Sequence, residues 1–352
     1  SSPKDYSELA PQTPTLPDSV LGDAPLSPVP SAVEAPPRGG ETAATAAVRA
    51  YVWDLDRLRN YVGSSDSMTP GKHNAMNSTT QLSAYLAHGC LSPRRLYAEV
   101  REYERRRTRN RSTYWVFHEM VFRDFFIFSC IKWGRRLFSL AGPLDASGHS
   151  WRRDDDDDDH HRHHHHHHRH HAAASDHLRG TLSETRRLFR RWCEGNTGYP
   201  LVDAGMRQLR AEGRMPHLVR QIAAALLVRD LRIDWRWGAE WFEAHLIDYT
   251  PDANWGNWGY RILPVPQIQP LETRHLTTLE ILSWPVVHDP RLEYILTWIP
   301  ELAPAAARDP VLAREPWRCA AGGYRRVERF RSMPYRDSPL WAMSVNRNAW
   351  PE

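Results

Sequence analysis

From Ala46 onward apolar residues recur at spacings of three and four: Val48, Tyr51, Val52, Leu55, Leu58 and Tyr61 fall on one face of a predicted helix. A Gly/Ser/Asp-rich loop, Gly63 to Asn77, ends at Ser78-Thr79-Thr80, an N-cap-like run before a helix over Leu82 to His88. Ser92 as cap and Pro93 at the first helical position open the next one. Residues 113 to 138 read as a long aromatic helix, apolar on several faces, which predicts deep burial. Helical patterns resume at Thr181 to Cys193, Leu201 to Ala211, Leu218 to Asp230, Trp237 to Ile247 and Arg291 to Ile299. The stretch Asp252 to Tyr260 reads instead as an aromatic turn, its Trp, Asn and Gly residues either packed on each other or directed at a flat ligand. No stretch alternates as a strand does, and no Gly-x-Gly-x-x-Gly or phosphate-binding loop motif occurs, so the expected fold class is all-α.

The ends and one insertion break this pattern. Residues 1–45 hold nine of the 27 prolines and predict a disordered leader or linker before a helical domain over 46–302. Residues 154–171 are six Asp followed by ten His and two Arg, a low-complexity tract predicting a disordered insertion over 154–175. Fixed geometry for a metal is not expected there. Residues 303–352 are Ala/Pro/Arg-rich and read as a partly ordered C-terminal extension.

Composition narrows the classes. Hydrophobic residues at 41% and charged residues at 25% are near globular averages, which excludes a wholly disordered chain. The longest apolar run, Ile222 to Val228, is too short to span a bilayer, so no membrane partner is expected. Cys90, Cys130, Cys193 and Cys319 lie far apart with no Cys-x-x-Cys, which points to a reducing, intracellular, soluble setting with no zinc site. The chain opens at Ser1 with no secretory leader and reads as a fragment or a processed product. The formal charge of +4 becomes +8 once the Asp/His tract is set aside, and all but three of the cations are Arg, the residue that forks onto phosphate.

Polar groups interrupt the otherwise apolar pattern in four places. Thr79, Thr80, Gln81, Leu82 and Ser83 read either as an anion cradle or as plain N-capping. Glu119 and Arg123 stand four apart and can pair on the aromatic helix. The eight Arg between Arg94 and Arg111 are a solvated, ion-paired face or a phosphate contact. Arg220, Asp230, Asp234 and Asp248 punctuate the later helices.

Four runs then carry a resemblance. Gln81-Leu82-Ser83-Ala84-Tyr85-Leu86-Ala87-His88-Gly89-Cys90-Leu91-Ser92-Pro93-Arg94, Phe122-Arg123-Asp124-Phe125-Phe126, the segment from Trp192 through Gly195-Asn196-Thr197-Gly198-Tyr199-Pro200 to Arg207, and Ile233-Asp234-Trp235-Arg236-Trp237-Gly238-Ala239-Glu240-Trp241 occur in this order. Together they resemble the helical FAD-binding region of the photolyase and cryptochrome family over residues 46–302. Gln221, the Asn254–Trp258 run and Tyr260 resemble the DASH-type cryptochromes in particular.

The resemblance implies FAD in a helical bowl. Thr79 to Ser83 would hold its pyrophosphate and ribityl region, with Tyr61 and Arg123 nearby, and Arg220 and Asp248 would pair beside the ring. Asn254 would face the ring's N5, and Trp258, Trp235 and Trp151 would relay electrons to the surface. Glu119, Phe122, His217 and Tyr260 would meet a pyrimidine dimer in single-stranded DNA. Phe122 stands where a Trp is usual, His217 where an Asn is, Leu218 where an Arg is, and Thr250 where an Asp is. An antenna pterin or folate is not expected on this chain alone, since the family's α/β antenna domain is absent from it. A monomer is expected. Three functions follow: light-driven dimer repair, blue-light signalling through a protein partner without repair, or a nucleic-acid-binding pseudoenzyme without flavin.

Overall fold

The computed structural model describes residues 37–61, 79–142, 184–262 and 289–315, with the side chains of 260–262 left aside. The leader before residue 37, the Asp/His tract, Trp151 and everything after 315 lie outside the described residues. Among the described residues the architecture is helical, with a single isolated bridge at Ile233.

Helix α1, Glu41–Arg49, starts five residues earlier than the apolar pattern suggests and widens into a π turn over Ala50–Asp54. Val48, Tyr51, Val52 and Leu58 are buried as expected, but Leu55 is 55% exposed. The π turn and the positive φ of 49° at Asp56 rotate Leu55 off the face that a continuous α-helix would have given it. Helix α2, Ser83–Ala87, is only five residues long. Helix α3, Pro93–Arg106, buries Leu96, Val100 and Tyr103, spaced four and three, with Pro93 in its first turn.

Helix α4, Arg111–Trp133, begins at a full capping box: the Asn110 side chain accepts from the Ser112 and Thr113 N–H groups while Thr113 returns the bond. Deep burial of this helix does not hold. It seats Val116, Phe126 and Ser129 in the interior and leaves Tyr114, Val121, Phe128 and Ile131 at least 60% exposed. Past Trp133 the chain tightens into a 3-10 turn, Gly134–Phe138, rather than continuing as α-helix to residue 138, with Gly134 at φ 50°.

The main core gathers helices α5, Glu184–Glu194, α6, Pro200–Glu212, α7, His217–Ala225, and α8, Trp235–His245. Between α5 and α6, the Asp203 carboxylate accepts from the Thr197 N–H (2.7 Å), the Thr197 hydroxyl (2.6 Å) and the Gly198 N–H (2.8 Å). This network fixes the turn ahead of Pro200. Asp234 caps α8 through the Arg236 N–H at 3.0 Å.

The largest difference from the sequence reading is at 251–262. The supposed aromatic turn is helix α9, Pro251–Ile262. Proline fits a first helical position, and Thr250 accepts from the Ala253 N–H ahead of it. Gly256, which suggested a turn, serves packing: a Cβ there would stand 2.5 Å from Phe126 Cδ1 of α4. Helices α10, Glu293–Trp298, α11, Ala303–Arg308, and α12, Pro310–Arg314, close the described chain. Residues 303–315, read as an extension, join the core: Ala313 is fully buried within it and the Arg314 guanidinium donates to the Pro290 carbonyl.

Candidate functional site

A cavity of about 570 Å³, counted to its open mouth, lies between α7, the 248–250 loop, α8 and α9. Arg220 reaches in from α7 and Asp248 from the loop, and they pair at 2.9 Å. The Arg220 Nε also donates to the Met215 carbonyl at 2.8 Å, so the guanidinium is held from two sides. Burial works to raise the Asp248 carboxyl, but the Arg220 charge and hydrogen bond, with the nearby Ser83 hydroxyl, outweigh it and hold the group below the ordinary carboxylate range. One oxygen of Asp248, Oδ1, is buried without a hydrogen-bond partner, an acceptor facing a demand that the protein itself does not meet.

Asn254 and Trp258 line the same cavity, both from α9. Asn254 is 8% exposed and its amide donates to the Ala239 carbonyl at 2.9 Å. Trp258 is buried against Phe242 and Trp192. His217 and Gln221 bond each other on α7 at the cavity wall. Helical spacing explains why α9 supplies so much: Ala253, Asn254, Asn257 and Trp258 share a face, with Thr250 just ahead of the helix. Reading the segment as a turn hid Asn257, and Phe242 and Leu246 on the opposing wall gave no signal beyond ordinary core patterning.

The Asn254 amide yields a stability prediction. Asn254→Asp would set an acceptor against the Ala239 carbonyl and is expected to cost about 1–3 kcal/mol, read as a lower denaturation midpoint. An unchanged midpoint at neutral pH would mean that the bond carries no weight.

Other expected residues fall at different distances from this cavity. Thr80 accepts from the Leu82 N–H at 3.3 Å, a bond in the turn ahead of α2, whose N-cap Leu82 has no side-chain cap bond. Gln81, at φ 53°, accepts from Arg214 across the fold at 3.4 Å, and His88 bonds the Ile247 carbonyl, so the 79–88 segment is anchored beside Asp248. Tyr61 packs half-buried in the smaller N-terminal cluster. The Glu119–Arg123 pair does not form: Arg123 turns to its neighbour Asp124 at 3.2 Å, which a rotated guanidinium reaches more directly on an exposed flank. Glu119 is left without an ion pair among the described residues; the residue is exposed, and desolvation works to raise its carboxyl above the ordinary range. Phe122 stacks among His118, Phe125 and Phe126 on α4. Trp235 packs on Trp255 at 5.6 Å and has no ring contact with Trp258 among the described residues.

The arginine cluster is largely spent internally. Arg95 pairs with Glu99, Arg101 with Glu104, Arg105 and Arg106 with Glu102, and Arg107 with Asp56. These are surface pairs of small individual weight. They support the solvated-face reading over a dedicated phosphate surface.

Residues 115–339 match the family model for the FAD binding domain of DNA photolyase. The chain is 37% identical over 270 residues to a chloroplastic/mitochondrial cryptochrome DASH of Ostreococcus tauri, covering 77% of this chain and 41% of that protein. It is 37% identical over 265 residues to a cryptochrome DASH of Synechocystis, covering 75% and 46%. The crystal structure of the Synechocystis sp. PCC6803 cryptochrome superposes with a TM-score of 0.64 at 34% identity, over 84% of this chain and 52% of that one. A class III photolyase structure from Agrobacterium tumefaciens, at 24% identity and a TM-score of 0.57, shares the fold, over 79% and 50% of the two chains. The chain thus spans about half the length of the relatives it matches.

Proposed function

The chain belongs to the photolyase and cryptochrome family and carries its FAD-binding domain; from that footing we propose a blue-light flavoprotein of the cryptochrome DASH type that splits cyclobutane pyrimidine dimers in single-stranded DNA. The observation that carries this reading is the cavity where Arg220, Asp248, Asn254 and Trp258 converge, with one buried carboxylate oxygen still unsatisfied. An ion pair, a neutral amide and an indole wall fit a flat heteroaromatic ring with polar edges.

When bound, FAD supplies the light absorption and the one-electron chemistry. Asp248 would offer its Oδ1 to a ring N–H, and Arg220 neutralises the carboxylate. Thr79 to Ser83 would hold the phosphate and ribityl portion. Asn254 would face N5 with a neutral amide. Trp258 is the indole at the cavity wall from which an electron would come, with Trp235 and Trp151 as further relays. Glu119, on the same helix as Phe122, would hydrogen-bond the dimer. Phe122 offers a ring face for stacking, with His217 and Tyr260 completing the DNA side. Single strands suit such a pocket because extruding a base costs least there.

Two measurements test the reading. Flavin absorbance per purified chain should approach one equivalent, and illumination with a reductant should restore dimer-containing single-stranded oligonucleotides. Reduced flavin without repair would favour the signalling reading, and a chain without flavin would leave only the nucleic-acid-binding one. A further variant isolates the indole: Trp258→Phe is expected to slow photoreduction at least tenfold, about 1.4 kcal/mol in barrier, because phenyl is far harder to oxidise than indole. A mutant photoreduced at the parental rate would remove Trp258 from the route.

A further inference from the structure

Helix α4 turns Phe126 and Ser129 into the core and leaves a second apolar stripe at the surface. Tyr114, Phe117, Val121, Asp124, Phe128 and Ile131 recur at alternating spacings of three and four along its 23 residues, the a and d positions of a heptad. Tyr114, Val121, Phe128 and Ile131 are 60–73% exposed. Phe117 is half-buried because Tyr97 of α3 meets its ring at 5.0 Å, with the Arg101 guanidinium over both rings, so α3 walls one flank of the stripe. In the same frame the buried Phe126 takes position f, as Glu119 does, and Phe122 takes b. The residues assigned to DNA therefore lie off the stripe.

We propose that this stripe is the seam of a homodimer in which α4 packs antiparallel on α4 of a second copy, in place of the monomer expected from the sequence. Soluble monomers rarely leave so continuous an apolar face in water. Spacing of three and four held over more than two heptads seats one helix along another, whereas an extended strand would call for every second residue. The face is also its own complement. About a two-fold axis between Phe122 and Arg123, Tyr114 meets Ile131 of the second copy, Phe117 meets Phe128, and Val121 meets Asp124. The lone charge thus falls against the smallest apolar side chain of the stripe rather than against a ring, and it already holds Arg123 at 3.2 Å. Such a polar position costs stability but fixes register.

Size sets the strength. A 23-residue helix is about 35 Å long. Its exposed side chains, with Tyr97 and Phe117 beside them, can hide on the order of 500 Å² per copy, or about 1,000 Å² for the pair, the lower bound of a specific interface. The dimer should accordingly be weak, with a Kd on the order of 10 μM. Phe126 faces α9, away from the seam, so pairing leaves the cavity open.

The proposal does not rest on the flavin reading, and flavin content plays no part in its test. Sedimentation velocity of the chain from about 1 to 100 μM should show a concentration-dependent dimer. Val121→Asp, and separately Ile131→Arg at the most exposed position, should sediment as monomers with unchanged helicity by circular dichroism. Asp124→Leu should tighten the dimer by at least about tenfold, since it replaces the one charge in the seam. Register is read by mixing Tyr114→Cys chains with differently tagged Ile131→Cys chains under mild oxidation: disulfides between the two variants, located by mass spectrometry, should exceed those within either. A chain that stays monomeric to 100 μM would overturn the dimer, whether its Tyr114→Cys thiol alkylates freely, leaving the face bare, or resists, showing it covered by another part of the same chain. A dimer indifferent to both charge insertions and to Asp124→Leu would overturn the seam, and disulfides mainly within one variant would overturn the antiparallel pairing. Should a charged variant lose helicity, Asp124→Leu and the disulfide pattern decide alone.

Discussion

Asp248→Ala is expected to lower stability by about 3 kcal/mol and to yield a purified chain without flavin. The Asp248 side chain is 8% exposed and that of Arg220 26%, so removing the carboxylate leaves a largely enclosed guanidinium without its counter-charge. Losses of about 3–5 kcal/mol are typical when one partner of a buried pair is deleted, and two features place this case at the lower end. Arg220 keeps its bond to the Met215 carbonyl, and its remaining exposure admits water. Denaturant midpoints and flavin absorbance read the two effects separately.

The same pair sets a pH dependence. Asp248 has its carboxyl held below the ordinary range in the folded state. A depressed carboxylate contributes its full stability above the unfolded value, about 4, and loses it as pH falls through the folded one. Asp248→Asn keeps the shape and lacks the titration. The stability gap between parent and Asp248→Asn should therefore be constant from about pH 5 to 7 and should close below about pH 4. A gap that persists unchanged into acid would show that the charge of Asp248 is not what stabilises the pair.

How much of this could be read from the chain depends on the range of the interaction. Local periodicity predicted the helices from α5 to α8 and α10 to within a few residues, because an apolar face repeats wherever a helix is half-buried. It failed where the backbone departs from 3.6 residues per turn, as at Leu55 behind the π turn. It failed again in α9, where Gly256 has the composition of a turn but answers to Phe126, a residue 130 positions away in sequence. The burial of α4 was overestimated because an aromatic sequence specifies affinity for a neighbour, not the neighbour's presence on every side. The Arg220–Asp248 pairing came from family resemblance, since nothing in either residue's neighbourhood marks a partner 28 positions distant. Which atom of that pair lacks a partner, and which indole touches Trp258, only packing could tell.

Gly238 shows how tightly that packing constrains the cavity wall. A Cβ on Gly238 would stand 2.4 Å from Trp258 Cη2, 2.5 Å from Leu227 Cδ2 and 3.0 Å from Trp258 Cζ2. Replacing a mid-helix glycine by alanine normally gains about 1 kcal/mol of helix propensity. Overpacking a dense core costs about 1–3 kcal/mol, and here the obstructing atoms belong to an indole hemmed in by Trp192 and Phe242 rather than to a free side-chain end. The clash should win, so Gly238→Ala is expected to be destabilised by about 1–2 kcal/mol net. A tilt of Trp258 to relieve the clash would move the ring within the cavity that it lines, so flavin loading and photoreduction should fall together. Gly39→Ala, where a Cβ meets nothing within 4 Å, supplies the contrast and should stay within about 0.5 kcal/mol of the parent. A Gly238→Ala protein with the parental midpoint and parental photoreduction would mean that the indole yields freely, and the rigidity assigned to the Trp258 wall would have to be abandoned.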